Sequence, residues 1–204
     1  QRFAPKHELN YRVAAQDEAH LDIALYIEDQ TVMPYHYEIH LAVVQGEPGV
    51  YVYSIMRYPE EVPGGNDNIQ GRYGFRVDPE IFKYYAVDDT RKGPLPTLAE
   101  MEQGVQVMDA TFKLANGEVY TKYNHLMYEG DLQVTGVYGD ELGISIVRPS
   151  NEYVGGGPTQ QRNTVHQTHT TPILLWHDHE SHFGRSNLKP VPGWEKIYGP
   201  VMLY

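Results

Sequence analysis

"YHYEIHLAVV", Tyr35 to Val44, alternates side chains of two kinds along its length. His36, Glu38 and His40 fall on one face of an extended strand, and Tyr37, Ile39 and Leu41 on the other. "GEPG" (Gly46–Gly49) then turns the chain into "VYVYSIMRY" (Val50–Tyr58), the expected hairpin partner. Strand-like stretches also run through "HLDIALYIED" (His20–Asp29), "GRYGFRVD" (Gly71–Asp78) and "DLQVTGVYG" (Asp131–Gly139). "LGISIVRP" (Leu142–Pro149), "TPILLWHDHE" (Thr171–Glu180) and "IYGPVMLY" (Ile197–Tyr204) continue the series. Only "TLAEMEQGVQVMD" (Thr97–Asp109) reads as helix, and Gly104 weakens it. Many strands, turns rich in Gly and Pro, and little helix predict an all-β fold, a large antiparallel β-sandwich. No repeat of fixed length is visible, which disfavours a propeller or solenoid, and one domain over residues 1–204 is the simplest organisation.

Composition narrows the function classes. Hydrophobic residues make up 41% of the 204, enough to bury a core. A net charge of −11 argues against nucleic acid as a partner, because phosphate binding needs a basic face. A local cluster of cations can still hold a polyanionic sugar. The chain contains no cysteine and no apolar run of the roughly 18–20 residues that span a membrane. It opens at Gln1 without a signal-like start, so localisation is not directly readable. Seventeen tyrosines suit strands, and tyrosine rings are also common sugar platforms.

Most histidine-rich motifs have a plain structural reading. "HYEIH" (His36–His40) is not the helical HExxH of metalloproteases, and a solvated sheet face accounts for its three polar residues. "HDHESH" (His177–His182) offers His177 and His179 on one strand face but no third ligand, so no metal is assigned. "GGNDN" (Gly64–Asn68) reads as a turn, and calcium binding is left open. There is no GxSxG elbow, P-loop or cysteine nucleophile.

Three further segments carry chemistry together. "GRYGFRVD" supplies Arg72, with Arg76 four residues on and on the same strand face. "GEVYTKYNH" (Gly117–His125) sets Lys122 between Tyr120 and Tyr123 in a strand-like context. "PSNEYVGGGPTQQRNTVHQTH" (Pro149–His169) has little to bury and reads as a polar, substrate-facing loop presenting Arg162 and His166. Singly these are a surface cation, a snorkelling lysine and a loop histidine. Together they suffice for β-elimination on a uronic acid. An Arg fork neutralises the carboxylate, a lysine with its pKa lowered by burial and neighbouring cations removes the C5 proton, and a histidine donates to the departing oxygen.

At these residues the chain resembles the rhamnogalacturonan lyases of polysaccharide lyase family 4. "EVYTKYNHLMYEGDLQVTGVYG" (Glu118–Gly139) carries the family's "KY". "GISIVRPSNEYVGGGPTQQRNTVHQT" (Gly143–Thr168) carries its "PSxEF…GGP" pattern, with His166 eight residues after Pro158. "WEKIYGPVMLY" (Trp194–Tyr204) resembles the end of the family's catalytic domain, and "GRYGFRVD" its arginine-bearing strand. The resemblance implies a galactose-mutarotase-like supersandwich and a catalytic portion of a larger multidomain enzyme, secreted or periplasmic and monomeric. It implies endolytic cleavage of the rhamnose-(1→4)-galacturonate bond of pectin, with no cofactor required. Lys122 and His166 would be the catalytic pair, with base and acid unassigned between them. Arg72 would bind the uronate carboxylate, and Tyr123, Tyr153 and Arg162 are the other expected substrate contacts. The alternatives are a carbohydrate-binding sandwich without turnover and an aldose-epimerase relative, the latter calling for His with a carboxylate base.

Overall fold

The computed structural model describes residues 9–28, 35–61, 71–128, 134–149, 159–179 and 190–204. In chain order the strands begin with β1 (Asn10–Gln16), β2 (His20–Tyr26), β3 (His36–Val44), β4 (Val50–Arg57), β5 (Gly71–Arg76), β6 (Tyr84–Ala86) and β7 (Lys92–Pro94). After helix α1 (Leu98–Gln103) come β8 (Val105–Met108), β9 (Thr111–Lys113) and β10 (Val119–Thr121). A 3-10 turn (Lys122–His125) leads to β11 (Leu126–Tyr128). The chain ends with β12 (Thr135–Tyr138), β13 (Gly143–Val147), β14 (Thr159–Gln167), β15 (Pro172–His179) and β16 (Glu195–Leu203). The fold is mostly antiparallel β-sheet, as the two-residue period predicts. Among the described residues no helix is long and apolar enough to cross a membrane.

The chain divides into two compact units, one drawn from Gln1–Ile69 with Asn187–Tyr204 and the other from Gln70–Ser186. In the first, the strands run in the order β1-β2-β3-β4-β16. The expected hairpin is present, with Leu41 opposite Val52 and His40 opposite Tyr53. Val52, Ser54 and Met56 alternate into the interior of β4, each at most 1% exposed. The register of β16 against β4 shifts between Tyr198 and Val201. Gly199 sits there at φ +99, and a Cβ would stand 3.0 Å from the Val52 carbonyl oxygen.

The polar face read from "HYEIH" is not solvated throughout. His40 is 3% exposed. Its Nδ1 lies 3.0 Å from Asp22 Oδ1 and its Nε2 3.2 Å from Glu38 Oε2. Tyr53 stacks on its ring and donates its hydroxyl to Asp22. Neighbouring strands thus supply the partners that make a buried imidazole tolerable. The partners come from β2 and β4 as well as β3, which a single strand's pattern does not display.

In the second unit the strands form the groups β13-β12-β6-β7, β10-β9-β8 and β11-β14-β15-β5. The helix is shorter than its sequence suggests. Thr97 caps it in a reciprocal box with Glu100, and it ends at Gly104, which is extended. Residues 105–108 then form β8. Two valines in "VQVM" favour a strand once glycine has ended the helix. Residues 159–167, within the expected polar loop Pro149–His169, form β14. Val165 and Gln167 on that strand are at most 1% exposed. The polar side chains conceal the strand because Gln167 satisfies a buried position by hydrogen bonding: its amide donates to the Thr168 carbonyl at 3.0 Å.

Candidate active site

Lys122 opens the 3-10 turn rather than continuing a strand. Thr121 ends β10 and accepts the Tyr123 backbone N–H at 3.4 Å, folding the next residues back on themselves. The Lys122 backbone N–H donates to the Ala110 carbonyl at 3.3 Å, anchoring the turn to the β8–β9 connection. Its side chain is only 5% exposed, yet Nζ lies 3.6 Å from Asp109 Oδ2 and 5.1 Å from the Tyr123 ring centroid. Tyr123 donates its hydroxyl to the same Asp109 oxygen at 2.6 Å. Burial, then the adjacent carboxylate, push the phenol up to about 12.

His166 stands on β14 opposite Ile173 of β15, and Ile173 stands opposite Arg76 of β5. His166 and Arg76 therefore share a row two strands apart and one face of the sheet, about 10 Å apart along the hydrogen-bonding direction. The His166 Nδ1 is buried without a hydrogen-bond partner. Burial first, and the Lys122 charge second, lower its pKa to about 4, while Asp109 opposes them. The ring is neutral at pH 7. Lys122 and His166, 44 positions apart in the chain, thus lie within electrostatic reach of one another and of Asp109.

The segments that carry the two residues are tied together. The Gln167 backbone N–H donates to the Tyr120 hydroxyl at 2.7 Å, joining β14 to β10. His125, at the end of the 3-10 turn, is 6% exposed, with rings of Tyr85 and Tyr120 centred 4.1 and 5.5 Å away. Burial holds its pKa down to about 4, opposed by a hydrogen bond to the Val165 backbone. Its Nδ1 also has no hydrogen-bond partner. Arg91 braces the same region by donating to the Leu126 carbonyl at 2.6 Å and to Asp88 at 2.6 Å.

Among the expected substrate contacts, Tyr123 is beside Lys122, with its hydroxyl on Asp109. Arg72 is placed by its backbone, opposite His177. Arg162 is likewise placed only as a backbone position on β14. Tyr153, the "GGNDN" turn and His182 lie outside the described residues. The described residues contain no group of three or more His, Asp or Glu placed to hold a metal ion. Asp109 and His125 were missed from sequence. A helix expected through Asp109 hides its position in a tight strand connection, and His125 carries no signal in sequence beyond standing three residues after the lysine.

No family model matches the chain. It is 32% identical over 191 residues to a rhamnogalacturonate lyase of Dickeya dadantii, covering 92% of this chain and 31% of that protein. It is 25% identical over 173 residues to rhamnogalacturonate lyase B of Emericella nidulans, covering 76% of this chain and 26% of that protein. Among solved structures it is similar to a galactose mutarotase related enzyme of Lactobacillus acidophilus, with a TM-score of 0.45 and 10% identity over 96% of this chain and 71% of that one. The chain therefore spans 31% and 26% of the length of these two curated relatives. By sequence it is related to proteins named rhamnogalacturonate lyase.

Proposed function

We propose that this chain carries the acid–base centre of a rhamnogalacturonan endolyase of the polysaccharide lyase family 4 kind. The observation that carries this reading is the shared environment of Lys122 and His166. A buried amine and a half-buried neutral imidazole, drawn from distant segments, act electrostatically on each other beside one carboxylate. A protein that only binds sugar has no use for such a pair. The relationship to rhamnogalacturonate lyases supports the same substrate class.

The geometry favours a definite division of labour. Lys122 stands beside an anion, Asp109. His166 is held neutral by burial. In this reading His166 accepts the C5 proton of galacturonate, reversing the roles expected from the residue types alone. The C–H electron pair becomes the C4–C5 double bond and the C4–O4 bond breaks. The Lys122 ammonium gives its proton to the oxygen that departs with rhamnose. Arg72, with Arg76 in the row of His166, neutralises the uronate carboxylate, whose charge grows as the proton leaves. Tyr123, Tyr153 and Arg162 contact the sugar chain.

The residues named for the chemistry come from one chain, so this reading calls for no second copy. The elimination itself calls for no cofactor. The polymer is too large to cross a cytoplasmic membrane unaided, which supports action outside it. Incubation with rhamnogalacturonan should release products with the ultraviolet absorbance of an unsaturated uronate, and homogalacturonan should not. A folded protein that binds rhamnogalacturonan without this absorbance would support the carbohydrate-binding alternative.

A further inference from the structure

Asp109 lies in the two-residue connection between β8 and β9. Ala110, which follows it, adopts φ +46, a conformation that non-glycine residues seldom hold. The connection is nevertheless anchored, because Ala110 is 5% exposed and its carbonyl accepts the Lys122 N–H at 3.3 Å. Asp109 itself is 72% exposed in its side chain. Its outer oxygen serves two partners, the Tyr123 hydroxyl at 2.6 Å and the Lys122 ammonium at 3.6 Å. The pair is lopsided, an exposed carboxylate beside an amine whose side chain is 5% exposed. A hydroxyl that pins the carboxylate in place beside a buried amine fits an electrostatic role better than a structural one.

We propose that Asp109 is a positioning residue: its carboxylate, held by Tyr123, fixes the Lys122 side chain in place for its part in catalysis. This deepens the lyase reading and rests on it for the word catalysis. The electrostatic link itself does not. Lys122 and Tyr123 face Asp109 from the 3-10 turn, and His166 feels Asp109, Lys122 and His125 from β14.

Asp109→Asn tests the proposal, because it keeps an acceptor for Tyr123 and removes only the charge. In the whole chain, kcat on rhamnogalacturonan should fall about tenfold, with KM within about twofold. Both limbs of the kcat–pH profile should move to lower pH, since a cation that loses a neighbouring anion gives up its proton more readily. Asp109→Glu should restore part of the rate. Tyr123→Phe, which unpins the carboxylate and leaves its charge, should lower kcat about threefold with the pH limbs less displaced. If Asp109→Asn fails to fold, Tyr123→Phe alone decides, and an unchanged kcat overturns the proposal.

An arm without substrate separates this inference from the lyase reading. The titration of His166, followed by carbon-detected NMR of its ring in the free protein, should shift to lower pH in Asp109→Asn. An unmoved midpoint overturns the role of Asp109 whatever the activity. A displaced midpoint in a protein that never cleaves rhamnogalacturonan upholds the electrostatic link and removes the lyase reading.

Discussion

The Gln167 backbone N–H donates to the Tyr120 hydroxyl at 2.7 Å. The two residues are next-door neighbours of the candidate machinery: Gln167 follows His166, and Tyr120 precedes Lys122 by two positions. One buried hydrogen bond therefore sets the spacing between the imidazole strand and the amine turn. Burial pushes the Tyr120 phenol well above its ordinary range, so the hydroxyl keeps its proton at any working pH.

Tyr120→Phe should remove that acceptor and leave the Gln167 N–H without it. The expected cost is about 1–3 kcal/mol of stability, from a buried donor losing its partner. Urea unfolding measures this. Turnover per folded molecule should fall as well, because the two strands lose their common tie. A variant as stable and as active as the parent would show that other packing sets the spacing.

The neutral His166 has a kinetic signature. If it is the base, kcat/KM should rise with pH through about 4 and stay level across neutrality, as the imidazole loses its proton. If it were instead the acid, activity would fall over that same interval. Initial rates between pH 3 and 8, on protein shown by circular dichroism to stay folded, separate the two assignments.

The two imidazoles with lowered pKa also link stability to pH. His125 and His166 each have a folded pKa of about 4 against an ordinary 6.5. The unfolded chain therefore binds protons at a higher pH than the folded one. Their contribution is intact above about pH 6.5 and is lost as pH falls toward 4. In full it amounts to on the order of 3 kcal/mol for each residue. Urea midpoints should drop over this interval, and His125→Gln should shrink the drop, provided that the variant folds. A midpoint that is flat from pH 7 to 4.5 would mean that these rings are already charged in the native protein.

Arg72→Lys and Arg76→Lys should each raise KM for rhamnogalacturonan about tenfold, with a smaller effect on kcat. An ammonium supplies the charge but not the two-pronged fit to a carboxylate. Steady-state kinetics on defined oligosaccharides report this. Unchanged constants would remove the affected arginine from the binding surface.

The strands were legible because their side chains alternate, most clearly in Val50–Arg57, where Val52, Ser54 and Met56 are buried. Three features were not. The helix was read too long, since "VQVMD" carries apolar residues at a spacing compatible with either state until Gly104 ends the helix in an extended conformation. His40 was read as solvated because its partners Asp22 and Tyr53 are contributed by other strands. Residues 159–167 were read as loop because a polar strand looks like one when its buried polar group is satisfied locally. For the candidate site, residue chemistry and family likeness single out Lys122 and His166, and the structure brings the two within electrostatic reach of each other. Asp109 is not singled out, because its importance comes from a turn that brings it back to Lys122 across 13 positions.

The claim on which everything depends is that Lys122 and His166 act on one substrate as a single acid–base unit. The most direct measurement is a double-mutant cycle on the release of unsaturated product from rhamnogalacturonan. Lys122→Ala and His166→Ala should each lower kcat at least about a hundredfold, with melting temperature nearly unchanged. The double variant should be about as slow as either single one, because removing one member already disables the unit. Losses that instead multiply, or a His166→Ala variant as fast as the parent, would contradict the shared centre.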